Sequence, residues 1–598
     1  MFSIKFKYNK ILLSITFIAV IAAGCKKLDQ EPQSAATPPA VFGSTDGLQL
    51  YVNSMYEILP DAGALVRGDA MSDYAARTSV PDFLRPGAYG PQQSTGWSSN
   101  DWSALRNINY FLINNVRPQV PEDKRRHFNG LARFFRAWFY FDKLKRFGDV
   151  PWINSPMAVD DPKLYGGRDS RVLVVDSIIA DLDYASQNIT TTTDASRTQI
   201  TKNIVYAFKS RICLFEGTFR KYHTEYNLTS SANGLLQQAA DAAKAVIDAN
   251  AFSLNTGGGT DKAYRQLFTS TTPVSNEVML AAVVDPALGI FNDANWYWTS
   301  ATYGDRLSLI RTFVNTYLNI DGTPFTSQAG YRTMPFAEEV KGRDLRLQQT
   351  IRMGNYTRLN GTKQELTPPA FSYTYTGYHP IKFTLDDISM DGGSRNTNSI
   401  PSIRYAEVLL NYAEAKAELG TFVDADWNLT IGALRRRAGI TGNTSAKPTT
   451  VDTYLQTNYF PGISDPSLLE IRRERGIELV FEGFRFNDIV RWKRGELMDK
   501  EWNGIYVPEL NKPMDLNGDG VLDVAFYRTM PTAVAGVTYV SVADNLSTGT
   551  VNPQRLNSSN ELTWLTNVTR KWDDKYYLYP IPETERLINP KLGQNPGW

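Results

Sequence analysis

The segment from residue 130 to residue 152, GLARFFRAWFYFDKLKRFGDVPW, constrains the fold more than any other stretch. Leu131, Phe134, Phe135, Trp138, Phe141 and Leu144 recur at three- and four-residue steps, the period of an α-helix. Phe139 and Tyr140 fall off that stripe, so this helix is apolar around much of its circumference. A helix lying on a surface needs one apolar stripe, whereas a helix packed on several sides needs more. Gly148 supplies a position that can take positive φ after the last turn, and Pro151 blocks continuation. The segment reads as a central helix in a stack of helices.

The same periodicity predicts helices over 44–59, 104–115, 172–187, 204–219 and 235–249. The last of these, LLQQAADAAKAVIDA, sets Ala at close helical spacing, so two helices can approach tightly. Residues 402–419 and 425–437 read as a helix–turn–helix hinged at Gly420, and 468–494 adds one or two more helices. Small and large residues alternate as in tetratricopeptide-type pairs, although no clean 34-residue repeat can be traced. Between 255 and 400, and again from 500 to 575, short runs punctuated by Gly and Pro predict long loops with a few short strands. The expected fold is mostly α: a tetratricopeptide-like helical repeat scaffold carrying long irregular loops. The body is expected to span 44–598, divided at 254, 400 and 496 into a helical part, a loop-rich ligand-binding insertion, helical repeats and an irregular C-terminal part.

The N-terminus predicts the compartment. Lys5, Lys7 and Lys10 precede a 13-residue apolar run, Ile11 to Ala23. A membrane-spanning helix needs about 20 apolar residues, so this run is read as an export signal covering 1–24. It ends in Ala22-Ala23-Gly24-Cys25, which resembles a bacterial lipobox, with Cys25 the lipidated residue. Residues 25–43 then form a polar, Pro- and Ala-rich tether. With Cys25 acylated, Cys213 has no partner for a disulfide, and its RICLF context is that of a buried small hydrophobe.

Catalytic patterns are scarce. The three histidines, His127, His223 and His379, show no HExxH spacing, and there is no GxSxG elbow, P-loop lysine or GxGxxG fingerprint. Two carboxylates suffice for a glycosidase, so acid count cannot exclude one. Net charge is +1, which gives no overall field for nucleic acid. Glu482, Arg485, Asp488 and Arg491 follow at three-residue steps and are expected to form an ion-pair ladder along one helix face. In DLNGDGVLD, Asp515, Asn517, Asp519, the Val521 carbonyl and Asp523 fall at ligand positions of a calcium loop, with Gly520 at its turn. Position twelve is Phe526 instead of Glu, so another segment must supply the bidentate ligand or the site is weak. Structural Ca2+ is the expectation; a polar turn is the alternative.

Aromatics make up 12% of the chain, and several stand on predicted loops. A sugar ring offers an apolar C–H face and a rim of hydroxyls, so its site wants flat aromatic platforms beside Asn, Asp and Arg. Trp97 with Asn100 and Asp101, and Trp296, Tyr297 and Trp298 with Asn292 and Asn295, have that composition. Trp138, Trp427 and Trp492 lie in helical periodicity and are assigned to the core.

The lipobox with CKKLDQEP, the 130–152 segment, SRVLVVDSIIADLDYA (170–185), RYAEVLLNYAEAKAELG (404–420), LLEIRRERGIELVFEGFRFNDIVRWKRGE (468–496) and YLYPIPETERLINPKLGQNPGW (577–598) together resemble the SusD/RagB family of outer-membrane nutrient-binding lipoproteins. The resemblance runs in order over essentially the whole mature chain. It implies a cell-surface, lipid-anchored protein of a Gram-negative bacterium that does no chemistry. It also implies a SusC-like TonB-dependent transporter as partner, with this protein as the lid that delivers oligosaccharide. Family ligand sites draw on the loop before the early helices and on the middle insertion, here the neighbourhoods of Asp73, Trp97 and Trp296 to Tyr303. A peptide-capturing relative, a non-binding scaffold and a surface glycoside hydrolase are the alternatives.

Overall fold

The computed structural model describes residues 41–300 and 304–598. The export signal, Cys25, all but the last residues of the tether, and Tyr303 lie outside the described residues. The frame helices are α1 (Thr45–Ser54), α2 (Ser103–Asn114), α3 (Glu122–Phe147), α4 (Arg171–Asn188), α5 (Lys202–Tyr222), α6 (Ala232–Asp248), α7 (Tyr405–Glu418), α8 (Asp424–Leu429), α9 (Ile431–Arg437), α10 (Pro466–Glu478) and α11 (Arg485–Arg491). Shorter helices and turns lie between them.

The central helix α3 starts eight residues before the apolar segment does, at Glu122 behind Pro121, with Glu122 and Asp123 in its first turn. Acids there complement the positive end of the helix dipole. Phe134, Phe135, Trp138, Phe139, Tyr140, Phe141, Leu144 and Phe147 are all buried, so the all-round apolar pattern reports packing on several sides. Gly148, at φ 73°, donates its N–H to the Leu144 carbonyl and ends the helix.

Packing runs pairwise along the chain: α3 on α4, α4 on α5, α5 on α6, α6 on α7, and α7 on α10. At Gly217 a Cβ would come within 2.9 Å of Leu236, so α5 and α6 approach as closely as the glycine and the alanines of α6 permit. Buried ion pairs pin the other steps. Arg136 on α3 holds both oxygens of Asp181 on α4 at 2.7 Å. Arg171 on α4 pairs with Glu216 on α5 at 2.6 Å, and Arg211 on α5 with Glu407 on α7 at 2.6 Å. Arg491 on α11 grips Glu414 on α7 at 2.6 Å. Stacked helical pairs and buried cores around Trp138, Trp427 and Trp492 agree with the sequence.

Strands are two to five residues long, and they pair in two- or three-stranded patches. Val278–Ala282 runs antiparallel to Ile400–Arg404, which leads straight into α7. Ala75–Ala76 pairs with Ser308–Leu309, bringing the early loop against the middle insertion.

The expected ladder on one helix face is corrected by the structure. The chain turns between α10 and α11, with Phe481 at φ 66° and Gly483 at φ 82°, so Glu482 leaves the helix. Glu482 pairs with Lys382 and Arg404, Arg485 with Asp73, and Asp488 with Arg475 and Arg491. Only Asp488–Arg491 pairs along the helix as expected; the other charges, this deeply buried, find partners across the fold.

Candidate functional site

The middle insertion is anchored by a buried amide cluster. Asn292 donates to the Asn398 carbonyl at 2.6 Å, and Asn295 donates to the Leu385 carbonyl and to Asp391. These asparagines, expected beside a sugar, are spent holding the short helix Ala294–Thr299 in place. The three aromatics there are not on a loop, and a helix sends its successive side chains different ways. Trp298 turns inward against Phe481 at 4.9 Å and is 3% exposed, which corrects its assignment to a ligand face. Trp296 stays half-buried. Tyr297 has its ring under the Arg67 guanidinium at 4.3 Å and its hydroxyl 3.1 Å from Asp305.

From Tyr297 a strip of polar and aromatic groups continues onto the early loop. Arg67 holds both oxygens of Asp293, at 2.9 and 2.6 Å, and Arg77 pairs with Asp305 at 2.7 Å. These four side chains remain between a fifth and a third exposed. Thr78 donates to the Asp305 carbonyl and accepts from the Tyr375 hydroxyl at 3.2 Å. Tyr375 stacks on Trp564 with ring centres 3.8 Å apart, and Trp564 donates its indole N–H to the Arg77 carbonyl at 2.8 Å. Burial and the neighbouring Asp305 raise the Tyr297 hydroxyl well above the usual phenol value, so it stays a hydrogen-bond donor. The Arg67–Asp293 fork and the Arg77–Asp305 pair can bind hydroxyl pairs beside the half-buried Trp564 ring, while Tyr297 and Tyr375 are each only 6% exposed; nothing in the strip resembles an activated nucleophile.

Asp73 does not face this strip. It is 2% exposed and takes the Arg485 guanidinium on both oxygens, at 2.6 and 2.8 Å, so its place is structural. An unpaired charge at that depth would be costly, which is why the loop supplies a partner for Arg485 there.

Trp97 lies elsewhere. Its ring is 6% exposed, edge-on to Trp102 at 5.4 Å and to Phe147 at 4.9 Å. The loop bearing it is tied down by Lys143 of α3, which donates to the Gly96 carbonyl at 2.6 Å and lies 5.3 Å from the Trp102 ring. Burial pushes that ammonium down to about 8. Trp97 and Trp102 form one end of a groove of about 440 Å³ that also meets Ile153, Tyr165, Glu585 and Asn589. Asn100 is exposed on the 3-10 turn Asn100–Trp102 and does not line that groove.

In the calcium-like loop, Asp515 accepts N–H groups from Asn517, Gly518 and Gly520, and Asp523 accepts from Leu516. Val521 is 62% exposed. Burial raises the Asp523 carboxyl, and Asp515 and Asp519 add to the rise, so these three carboxylates feel one another. Among the described residues, no group of three or more His, Cys, Asp or Glu side chains is arranged to hold a metal ion.

Sequence reasoning missed Tyr375, Trp564, Arg67, Asp293 and Asp305. Arg77 stood in the right loop, but nothing local marks Trp564, which joins the strip from the far C-terminal part.

Comparison with known proteins places this geometry in a family. A family profile described as "SusD family" matches residues 255–598, more than half of the chain. A second, described as "Starch-binding associating with outer membrane", matches 90–214. The chain is 25% identical over 510 residues to "SusD-like protein P2" of Formosa agariphila, covering 82% of this chain and 91% of that protein. Among solved structures, a SusD-like protein of Bacteroides fragilis superposes with a TM-score of 0.67 at 21% identity, over 94% of this chain and 98% of that one. A SusD-like carbohydrate-binding protein of the same species also gives 0.67, at 18% identity and over 92% and 99% of the two chains. The helical-pair frame, the order of its motifs and these matches agree: the chain belongs to the SusD family.

Proposed function

We propose that this protein is a cell-surface glycan-binding lipoprotein that captures oligosaccharide at the strip from Trp296 to Trp564. The observation carrying the reading is the convergence of Arg67–Asp293 and Arg77–Asp305 on the Tyr297 ring and the Tyr375–Trp564 stack. Family membership supports it, since one profile is described as starch-binding and a similar structure as carbohydrate-binding. The protein acts as a binding lid without catalysis, passing its cargo to a SusC-like TonB-dependent transporter in the outer membrane. Cys25 provides the lipid anchor. No helix among the described residues is long and apolar enough to cross a membrane, in keeping with attachment through acyl chains.

The test is retention of the protein on a panel of insoluble and gel-embedded polysaccharides, with each hit assayed for released reducing sugar. Retention by one glycan class without release supports the reading; release of sugar, or retention by none, refutes it. A Cys25→Ala variant that still partitions with the outer-membrane fraction would refute the anchor. Calcium at Asp515, Asn517, Asp519, Val521 and Asp523 belongs to the same proposal as a structural ion stiffening one loop, with no part in binding.

A further inference from the structure

A second cavity lies on the middle insertion, between the short helix Ala263–Thr269 and the strand Thr357–Asn360. It encloses about 580 Å³, within the range of ligand pockets, and is lined by Arg265, Gln266, Gln348, Asn355, Tyr356 and Asp386 among others. None of these residues belongs to the Trp296 strip or to the Trp97 groove.

The cavity floor is built before any ligand arrives. Arg265 donates to the carbonyls of Ile381 at 3.0 Å and Thr384 at 2.6 Å, and to both oxygens of Asp386 at 2.7 and 2.6 Å. The Tyr356 hydroxyl donates to Asp386 at 2.5 Å. Burial works to raise the Asp386 carboxyl, but the bonds from Arg265 and Tyr356 hold it below the usual carboxylate range. Asp386 is therefore a fixed, ionised acceptor, with 41% of its side chain still exposed. Around it, the half-buried Gln348 amide and the exposed Asn355 amide have no hydrogen-bond partner among the described residues, and each offers two donors and an acceptor toward the opening.

Charge and polarity select the ligand. Arg265 is paired with Asp386, and Asp261 and Lys262 in the lining carry opposite charges without pairing, so the net charge of the lining favours neither an anion nor a cation. Amide and carboxylate walls disfavour an apolar molecule, whose entry would strip them of water without replacing their hydrogen bonds. A small neutral polyol answers all the groups present, donating to Asp386 and exchanging bonds with both amides.

We propose that this cavity is a second carbohydrate site, taking a neutral mono- or disaccharide unit on Asp386, Gln348 and Asn355. The proposal deepens the glycan-binding reading and rests on it for the ligand class. Two sites on one molecule would raise retention on a polymer above what either gives alone.

The test uses the full chain in a sugar-free detergent, titrated calorimetrically with maltose, cellobiose, xylobiose, mannobiose and N-acetylglucosamine. The wild type, Trp296→Ala and the double variant Gln348→Ala/Asn355→Ala are compared, with thermal melts confirming that each is folded. Neither amide makes a hydrogen bond to another described residue, so the double variant is expected to melt like the wild type. In Trp296→Ala, binding at the cavity should persist, while in the double variant it should weaken by about tenfold, the loss expected for one or two hydrogen bonds. If Trp296→Ala abolishes all binding and the double variant changes nothing, the second site is refuted alone. If the wild type binds none of the sugars and no polysaccharide retains it, the glycan reading falls with it.

Discussion

Two sets of arginine–carboxylate pairs in this molecule share their chemistry and differ in burial. Around Glu478, Arg346, Arg404 and Arg437 converge, while Glu474, Glu277 and Asp344 complete a lattice that water does not reach. Along the strip beside Tyr297, the Arg67–Asp293 fork and the single Arg77–Asp305 contact have the same chemistry but stand partly in solvent. In the first set nearly every donor, the Arg437 Nε apart, is taken by another protein group, so charge becomes architecture. In the second, the partly exposed charges keep spare hydrogen-bonding capacity for a ligand beside the half-buried Trp564 ring. Burial, not residue type, separates a structural charge from a binding one.

Breaking the lattice should give the largest effect. Glu478→Gln leaves three guanidiniums short of a charge in the core, and removing one partner of a buried pair costs about 3–5 kcal/mol. Denaturant unfolding should show that loss with little change in glycan retention by the fraction that folds. A variant as stable as the wild type would break the comparison.

Acid probes the buried arginine–carboxylate pairs, those of Glu478 and of Glu414 with Arg491, more gently. Burial works to raise Glu478 and Glu414, yet the surrounding arginines win, holding Glu478 well below the usual range and Glu414 at about 2. Both folded-state values lie below the unfolded value of about 4.3, so their stabilisation is complete above it. It drains away as pH falls from there through about 2, where Glu414 titrates in the folded protein. Melting temperature is expected to fall steeply within that window.

On the strip, Asp305→Ala and Trp296→Ala should each cost about 1 kcal/mol or less of stability, as partly exposed pairs and rings do. Retention on the cognate glycan should drop by about tenfold or more. Wild-type retention in both variants would move the site to the Trp97 groove. The smallest effect belongs to the 515–523 loop: millimolar calcium should raise the melting temperature by a degree or two, and Asp519→Ala should abolish the rise. An equal rise with magnesium, or none, would leave the loop a polar turn.

How far the site was legible in the sequence differs residue by residue. Trp296 was singled out because a cluster of aromatics among asparagines is a local signal, and it stays half-buried on the short helix that carries Tyr297. Trp298 carried the same signal, yet it packs on Phe481, a contact no local pattern announces. Asp73 stood in a polar loop and still became the buried partner of Arg485, more than four hundred residues away.

By itself the sequence determined the frame. The 3.6-residue period marked the long helices, the all-round apolar α3 marked their centre, and Gly148 and Gly420 marked two of their ends. Helix formation is governed by neighbours three and four residues apart, so a linear pattern is enough to show it. Only the tertiary structure decided which charges are buried and which rings face outward. The Tyr375–Trp564 stack, the Arg77–Asp305 pair and the Arg265–Asp386 floor each join segments distant in the chain. Whether such groups meet depends on how the helical pairs bring the loops together, and that information is held in the packing of the whole molecule.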